Sequence, residues 1–140
     1  MSGAAADPPG FAGILETCVY YSRPQREAVE RFYVEELGLS RVADWNDAFA
    51  CRLPTGILLA FEREALGERS GPVAAHGSGG PSHVCLLAAD GAYEPWRRRL
   101  RDLGVEITQE ASWPDHKRSF YFHDPAGNLL EIADQDIWPR

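Results

Sequence analysis

The chain has 140 residues, 44% of them hydrophobic, and a formal net charge of −7. This size suits a single domain with one core, and the apolar runs are far shorter than the roughly 18 residues of a membrane-spanning segment. The acidic balance argues against nucleic acid as a partner, because nucleic-acid sites are basic. We therefore expect neither a membrane nor a nucleic-acid partner.

The N-terminal segment and the cysteines bear on location. Residues 1–10 lack the basic start and the apolar run of a signal peptide, so they are predicted to form a flexible tail. The three cysteines, Cys18, Cys51 and Cys85, include no close pair and leave one unmatched, which argues against a disulfide framework. We expect reduced thiols and a cytoplasmic location.

The first half of the chain reads as one strand, one helix and three strands. The alternation over Ile14–Tyr21 puts Glu16, Cys18 and Tyr20 on the face away from the helix. A capping box at Ser22 and Gln25 opens the helix, and Gly38 ends it. The following strands are predicted at Ser40–Trp45, Ala48–Leu53 and Gly56–Glu62.

Residues 63–82 mix charged residues with Gly, Ser, Pro and Ala and show no periodicity. This composition predicts a mobile connector, long enough to border a site. His76 lies in it and is a candidate lid residue.

The second half repeats the first, about 66 to 71 positions further on. A strand begins at His83, and a helix carrying Tyr93 and Leu100 on its apolar face ends at Gly104. The remaining strands are predicted at Val105–Ala111, Arg118–His123 and Asn128–Ala133. We expect one domain over residues 11–138, with module one at 13–62, the connector at 63–82 and module two at 83–133.

Two small open sheets related by duplication must share a core or a cleft. The equivalent inward positions are Glu16 and His83 on the first strands and Ala60 and Glu131 on the last strands. Three of these four residues are of metal-ligand type. The two carboxylates would repel each other in a cleft, and a divalent cation would relieve that repulsion.

The sequence resembles the vicinal oxygen chelate superfamily, which includes glyoxalase I, bleomycin-resistance proteins and extradiol dioxygenases. The resemblance covers about residues 13–138. It rests on the motifs Leu15-Glu16-Thr17-Cys18, Phe32-Tyr33 with Leu37-Gly38-Leu39, Ser82-His83-Val84 and the run from Tyr121 to Ile132. The last motif is the most specific.

The resemblance implies an α+β fold in which two tandem β-α-β-β-β modules form a half-open, eight-stranded, barrel-like cleft. It also implies that Glu16, His83 and Glu131 bind a divalent metal ion such as Mn, Fe, Ni or Zn. Ala60 stands where four-ligand members have their fourth ligand, which leaves the coordination sphere open. A homodimer is implied too, with the modules pairing within a chain or across the dimer.

Further candidates surround these ligands. By the same resemblance Ser119, Tyr121 and His123 face inward, and Tyr121 either donates a hydrogen bond to an oxyanion or serves as packing. Arg118 is a second catalytic candidate. Together with Trp113, His116 and Lys117 it would contact an anionic or aromatic substrate, or lie in a solvent-exposed turn. Cys18 and Cys85 are interpreted as small lining residues rather than nucleophiles.

Two function classes follow. One is a divalent-metal-dependent enzyme for a small oxygen-rich substrate, with glyoxalase-like lyase or isomerase, dioxygenase or thiol-transfer chemistry. The other is a non-catalytic protein that sequesters an antibiotic or metabolite. The missing fourth ligand disfavours a glutathione-type glyoxalase, and the single histidine disfavours a dioxygenase with two His and one Glu.

Overall fold

The computed structural model describes residues 7–67, 76, 77 and 79–139. The first six residues of the predicted tail lie outside it, as do residues 68–75 and 78 of the predicted connector. In the described ranges the strands form two four-stranded sheets, one from each half of the chain.

The two sheets have the same topology. In the first, β1 is parallel to β4, and the order is β1-β4-β3-β2; in the second, β5 is parallel to β8, and the order is β5-β8-β7-β6. The first sheet consists of β1 (Glu16–Tyr21), β2 (Ser40–Trp45), β3 (Ala48–Leu53) and β4 (Gly56–Glu62). The second consists of β5 (His83–Leu87), β6 (Gln109–Trp113), β7 (Lys117–His123) and β8 (Leu129–Ala133). The sheets are not closed into a barrel, so the predicted α+β fold with an open cleft is confirmed.

The first helical segment is less regular than predicted. A 3-10 turn at Arg23–Gln25 leads into α1 (Arg26–Arg31) and then into a π-helical turn at Phe32–Glu36. The Gln25 side chain accepts a hydrogen bond from the Ser22 backbone at 2.8 Å, as a capping box requires. The segment ends at Gly38, whose φ of +72° suits glycine.

Two further helices follow, α2 (Arg63–Gly67) and α3 (Tyr93–Asp102). Helix α2 was not predicted, because five residues show too little periodicity to separate a helix from a loop. No helix in the described ranges has the length and apolar character needed to cross a bilayer.

The sixth strand begins later than the predicted Val105. Residues 105–108 lie outside the strand: the Val105 backbone N–H still bonds the Leu100 carbonyl of α3, and the Thr108 N–H is the first to bond β7, at the Tyr121 carbonyl. Strand β6 then starts at Gln109 and extends to Trp113. The first strand likewise begins at Glu16 rather than Ile14.

The main core joins both halves within one chain. Val29 and Tyr33 from the first half pack in the same buried cluster as Leu100, Phe120 and Phe122 from the second. Burial of these side chains on one face of each sheet leaves the alternate residues on the other face.

The opposite face of the first sheet carries a smaller apolar cluster. It contains Tyr20 and Phe61, packed with Leu66 of α2 and with Cys18. Val19 and Tyr21 belong to the main core instead. The predicted orientation of Cys18 and Tyr20, away from the first helix, is therefore confirmed.

The strand register corrects the equivalence between Ala60 and Glu131. Cys18 pairs with Leu59 in the first sheet, whereas its counterpart Cys85 pairs with Glu131 in the second. Leu59 is thus the counterpart of Glu131, and Ala60 lies in the main core. Aligning Gly56 with Gly127 misled by one residue, because this register makes Gly56 the counterpart of Asn128.

Candidate metal-binding site

The central strands of the second sheet place three polar side chains on one face. Leu130 and Ile132 point into the core, so Glu131 between them points to the opposite face. Strand β5 runs parallel to β8 and pairs Cys85 with Glu131 and His83 with Leu129. His83, Cys85 and Glu131 therefore stand on the cleft face.

His83 and Glu131 are in direct contact. The His83 Nε2 atom lies 3.2 Å from Glu131 Oε1, and its Nδ1 atom lies 2.9 Å from the Leu129 carbonyl oxygen. A carbonyl only accepts hydrogen bonds, so Nδ1 carries the proton. In the neutral ring the Nε2 lone pair then faces the carboxylate.

The surroundings of Glu131 favour a bound cation. Its side chain is only 5% exposed, and among the described residues Oε2 is a buried oxygen that accepts no hydrogen bond. A buried carboxylate facing a lone pair is unfavourable unless a proton or a cation lies between them. The pair therefore fits a divalent metal ion, since imidazole nitrogen and carboxylate oxygen are both metal ligands.

The chain by itself supplies only part of a ligand set. Within the described ranges, no three His, Cys, Asp or Glu side chains are grouped closely enough to hold a metal. Glu16 lies at the start of β1, where it is exposed. It shares with His83 a mainly apolar cleft of about 330 Å³, but it does not join the His83–Glu131 pair in a three-ligand group.

Tyr121 lies beside the pair, on the face that the resemblance implies for it. Its ring stacks on His83 with a centroid separation of 6.1 Å, and it pairs with Glu131 across the strands. Burial raises the pKa of the Tyr121 phenol, and Glu131 raises it further, while Ser119 lowers it. The phenol is thus protonated at neutral pH and available as a hydrogen-bond donor.

The two cleft-facing cysteines are thiols rather than thiolates. Burial, followed by the nearby Glu131 charge, raises the pKa of Cys85 to about 12. Burial and then Glu16 raise the pKa of Cys18 as well. A thiolate is the reactive form, so neither environment favours a nucleophile.

Arg118 lies on the other face of β7 from Tyr121. Its guanidinium carbon is 4.5 Å from the centroid of the Tyr93 ring, and its nitrogens pair with Glu94 at 3.1 Å and Asp134 at 3.7 Å. These partners place it against α3, outside the cleft. We therefore do not include Arg118 in the proposed site.

The remaining candidates are dispersed. Trp113 donates its indole N–H to Ser119 Oγ at 2.9 Å, so it lies on the same face as Tyr121, with Lys117 opposite it across the hairpin. His116 is exposed in the turn, with a left-handed φ of 61°.

His76 contacts the first sheet. Its Nδ1 atom is 2.8 Å from the Tyr20 hydroxyl, and its ring meets Phe61 edge-on at 4.6 Å. It therefore lies away from the His83–Glu131 pair, within the small apolar cluster of the first sheet.

One feature of the site has no signal in the sequence. The Leu129 carbonyl that fixes the His83 ring is a backbone group, which no residue type indicates. Ser119, which the resemblance places on the inward face, is fully buried beneath Trp113. Only the strand register brings these groups together.

Comparison with known proteins gives likenesses among solved structures. No family model and no curated protein sequence matches the chain. The chain is similar to a lactoylglutathione lyase from Agrobacterium tumefaciens, with 29% identity and a TM-score of 0.84 over 94% of this chain and 98% of the other. It is also similar to a glyoxalase/bleomycin resistance protein/dioxygenase from Nocardioides, with 22% identity and a TM-score of 0.69 over 91% and 85% of the two chains.

A third likeness is to a glyoxalase-related enzyme from Fulvimarina pelagi, with 22% identity and a TM-score of 0.68 over 92% of each chain. The likenesses span nearly the whole length of every chain compared. They confirm the resemblance to the vicinal oxygen chelate superfamily that the sequence motifs predicted.

Proposed function

We propose that this protein is a divalent-metal-dependent enzyme of the vicinal oxygen chelate type that acts on a small oxygen-rich substrate. The observation that carries the proposal is the His83–Glu131 pair, in which His83 Nε2 lies 3.2 Å from a buried carboxylate whose other oxygen accepts no hydrogen bond among the described residues. The likeness to a lactoylglutathione lyase supports the choice of an enzyme.

His83, Glu131 and Glu16 would hold the ion, which would be Mn²⁺, Fe²⁺, Ni²⁺ or Zn²⁺. When bound, such an ion supplies Lewis-acid stabilisation of negative charge on substrate oxygens. Tyr121 would donate a hydrogen bond to such an oxygen, because its phenol stays protonated at neutral pH and its ring lies against His83. One histidine and two carboxylates favour lyase or isomerase chemistry over oxygen chemistry.

Glu16 would come from a second copy of the chain in a homodimer. The residues next to it, Ile14 and Leu15, are 82% and 76% exposed, and Leu87 on the cleft face of β5 is 66% exposed. Exposed large apolar side chains that lie together are typical of a protein–protein interaction site. A partner that buried them would bring its own Glu16 towards the His83–Glu131 pair.

The three cysteines are free in the structure, which favours a reducing compartment, and we propose the cytoplasm. The second candidate function is sequestration of a small molecule without turnover. It is favoured by the absence of a three-ligand group in the described part of a single chain.

Metal binding separates the two candidates. The protein is purified without added metal and assayed for bound ions, then titrated with Mn²⁺ or Zn²⁺ by calorimetry. We expect about one ion per chain, and loss of tight binding in Glu131→Ala, because this substitution removes one ligand together with its buried charge. Circular dichroism checks that the variant is folded.

Glu106→Ala is the matched control, since it also removes one carboxylate but from the exposed surface of the second module. Its affinity should equal that of the wild type. If Glu131→Ala bound metal as tightly as Glu106→Ala, Glu131 would not be a ligand and the sequestering protein would be the better description.

A further inference from the structure

One fully buried asparagine connects the turn before β8 to both halves of the chain. Asn128 Oδ1 accepts the Ser82 backbone N–H at 3.0 Å, and Nδ2 donates to the Tyr20 carbonyl at 2.9 Å and to Asp124 Oδ2 at 2.8 Å. Tyr20 belongs to β1 and Ser82 immediately precedes β5. A single side chain thus fixes the first strand of each module.

The contact to Ser82 acts on the residue that follows it. Ser82 is held on both sides, because its N–H bonds Asn128 Oδ1 and its carbonyl accepts the Leu129 N–H at 2.8 Å. These bonds set the position of the His83 backbone against Leu129. The Leu129 carbonyl is in turn the acceptor for His83 Nδ1 at 2.9 Å.

We infer that Asn128 is a positioning residue that keeps the His83 ring in its Nδ1-protonated form, with Nε2 presented to Glu131. The order of action runs from Asn128 to the Ser82 backbone, then to the His83–Leu129 bond, and finally to the ring nitrogen at the cleft. The inference rests on the proposed function only where it concerns metal affinity. The tautomer of the ring is measured in metal-free protein, so that part of the inference does not depend on metal binding.

A residue with a purely structural role would stabilise this turn without acting on His83. Asp124 keeps backbone N–H donors from Ala126 and Asn128, each at 2.9 Å, so the turn has bonds of its own. Tyr33 also donates to Asp124 Oδ2, at 2.7 Å, without touching Ser82 or His83. Loss of the Tyr33 bond therefore weakens the same buried network and leaves the path to His83 in place.

Two variants test the inference. Asn128→Ala removes every bond of the side chain, and Ser82→Pro removes the N–H that donates to Asn128 Oδ1, together with the Ser82 hydroxyl, while keeping the Ser82 carbonyl for Leu129. Tyr33→Phe is the control. Ring nitrogens of His83 are observed in metal-free protein at pH 8 by two-bond proton–nitrogen correlation, with circular dichroism as the check on folding.

We expect the wild type and Tyr33→Phe to show one His83 tautomer, protonated at Nδ1, and the other two variants to show a mixture. Should Asn128→Ala not fold, Ser82→Pro decides. If every folded variant showed the wild-type His83 tautomer, the inference would be overturned. A mixture of tautomers in Tyr33→Phe would overturn it as well.

The second readout is affinity for Mn²⁺. It should fall by about 10- to 100-fold in Asn128→Ala and Ser82→Pro, the usual effect of losing a group that orients a ligand, and should not change in Tyr33→Phe. A wild type that binds no metal but shows the expected tautomers would overturn the proposed function and keep the positioning role. If the wild type binds metal but Asn128→Ala and Ser82→Pro keep the wild-type tautomer, the positioning role is overturned and the proposed function is kept.

Discussion

Buried polar residues form hydrogen bonds between the two halves of the chain. The Tyr33 hydroxyl, fully buried, donates to Asp124 Oδ2 across 91 positions of sequence. Burial, and then the Asp124 charge, raises the pKa of Tyr33 well above its ordinary value of 10.0. The sequence motif marks Asp124 but does not indicate its partner in the first helical segment, because nothing local links the two residues.

This bond predicts a pH dependence of stability. Above about pH 10 the unfolded chain releases the Tyr33 proton while the folded chain retains it, so the free energy of unfolding falls as pH rises, by up to about 1.4 kcal/mol per pH unit. Tyr33→Phe should be less stable at pH 7 by about 1–3 kcal/mol, because Asp124 loses one donor. Between pH 10 and 11 it should lose less stability than the wild type.

Urea unfolding at a series of pH values measures both effects. The comparison between the two proteins removes the contribution of the other tyrosines, which are the same in each. Parallel curves for wild type and variant above pH 10 would show that Tyr33 does not carry this dependence.

At the scale of elements, alternation in the strands was the most informative signal. The bounds of β2, β3 and β4 and the start of β5 agree with those predicted, because their turns carry Asn-Asp, Pro-Thr-Gly or proline and their apolar residues recur with a period of two. Pairing across strands is set by tertiary contacts, so the register that makes Leu59 the counterpart of Glu131 was beyond reach.

Alternation along β7 places neighbouring residues of one motif on opposite faces of the sheet. Phe120 and Phe122 are fully buried in the core, which places Arg118 with them and Tyr121 on the cleft face. Adjacent residues of a motif are therefore separated by the thickness of the sheet. The resemblance to a family marks the motif as a whole and does not distinguish its two faces.

Replacement of Arg118 tests this division. Arg118→Ala should lower the free energy of unfolding by at most about 1 kcal/mol, since its half-exposed ion pairs and its contact with Tyr93 are weak. Its affinity for Mn²⁺ should match that of the wild type. If calorimetric titration showed a fall in Mn²⁺ affinity of tenfold or more in a folded Arg118→Ala, Arg118 would belong to the metal site.

For the whole molecule, the duplication explains both the fold and the incomplete site. Each module has one apolar face that the shared core covers and one outer face. On the first sheet Leu66 and Cys18 join a small apolar cluster on the second face, whereas the second sheet presents His83 and Glu131 there. Composition and repeats predicted two such modules. They did not predict how the halves of one chain face each other, because this depends on the packing of both helices at once.

If Glu16 completes the site of a partner chain, two variants that each fail to bind Mn²⁺ tightly should recover binding when they are mixed. Glu16→Ala and His83→Ala should each lose tight Mn²⁺ binding, because each lacks one ligand of every site. In a mixed dimer one site combines the intact Glu16 of one chain with the intact His83 and Glu131 of the other. Random pairing then gives about one quarter of the wild-type number of sites.

The two variants are unfolded and refolded together, and bound Mn²⁺ is counted by electron paramagnetic resonance, with size-exclusion chromatography to establish the dimer. Each variant refolded alone is the control, since neither should gain binding. A dimer that recovers no sites on mixing would place all ligands within one chain. The exposed Ile14, Leu15 and Leu87 would then need another explanation, because a cleft completed within one chain gives no reason for a partner to cover them.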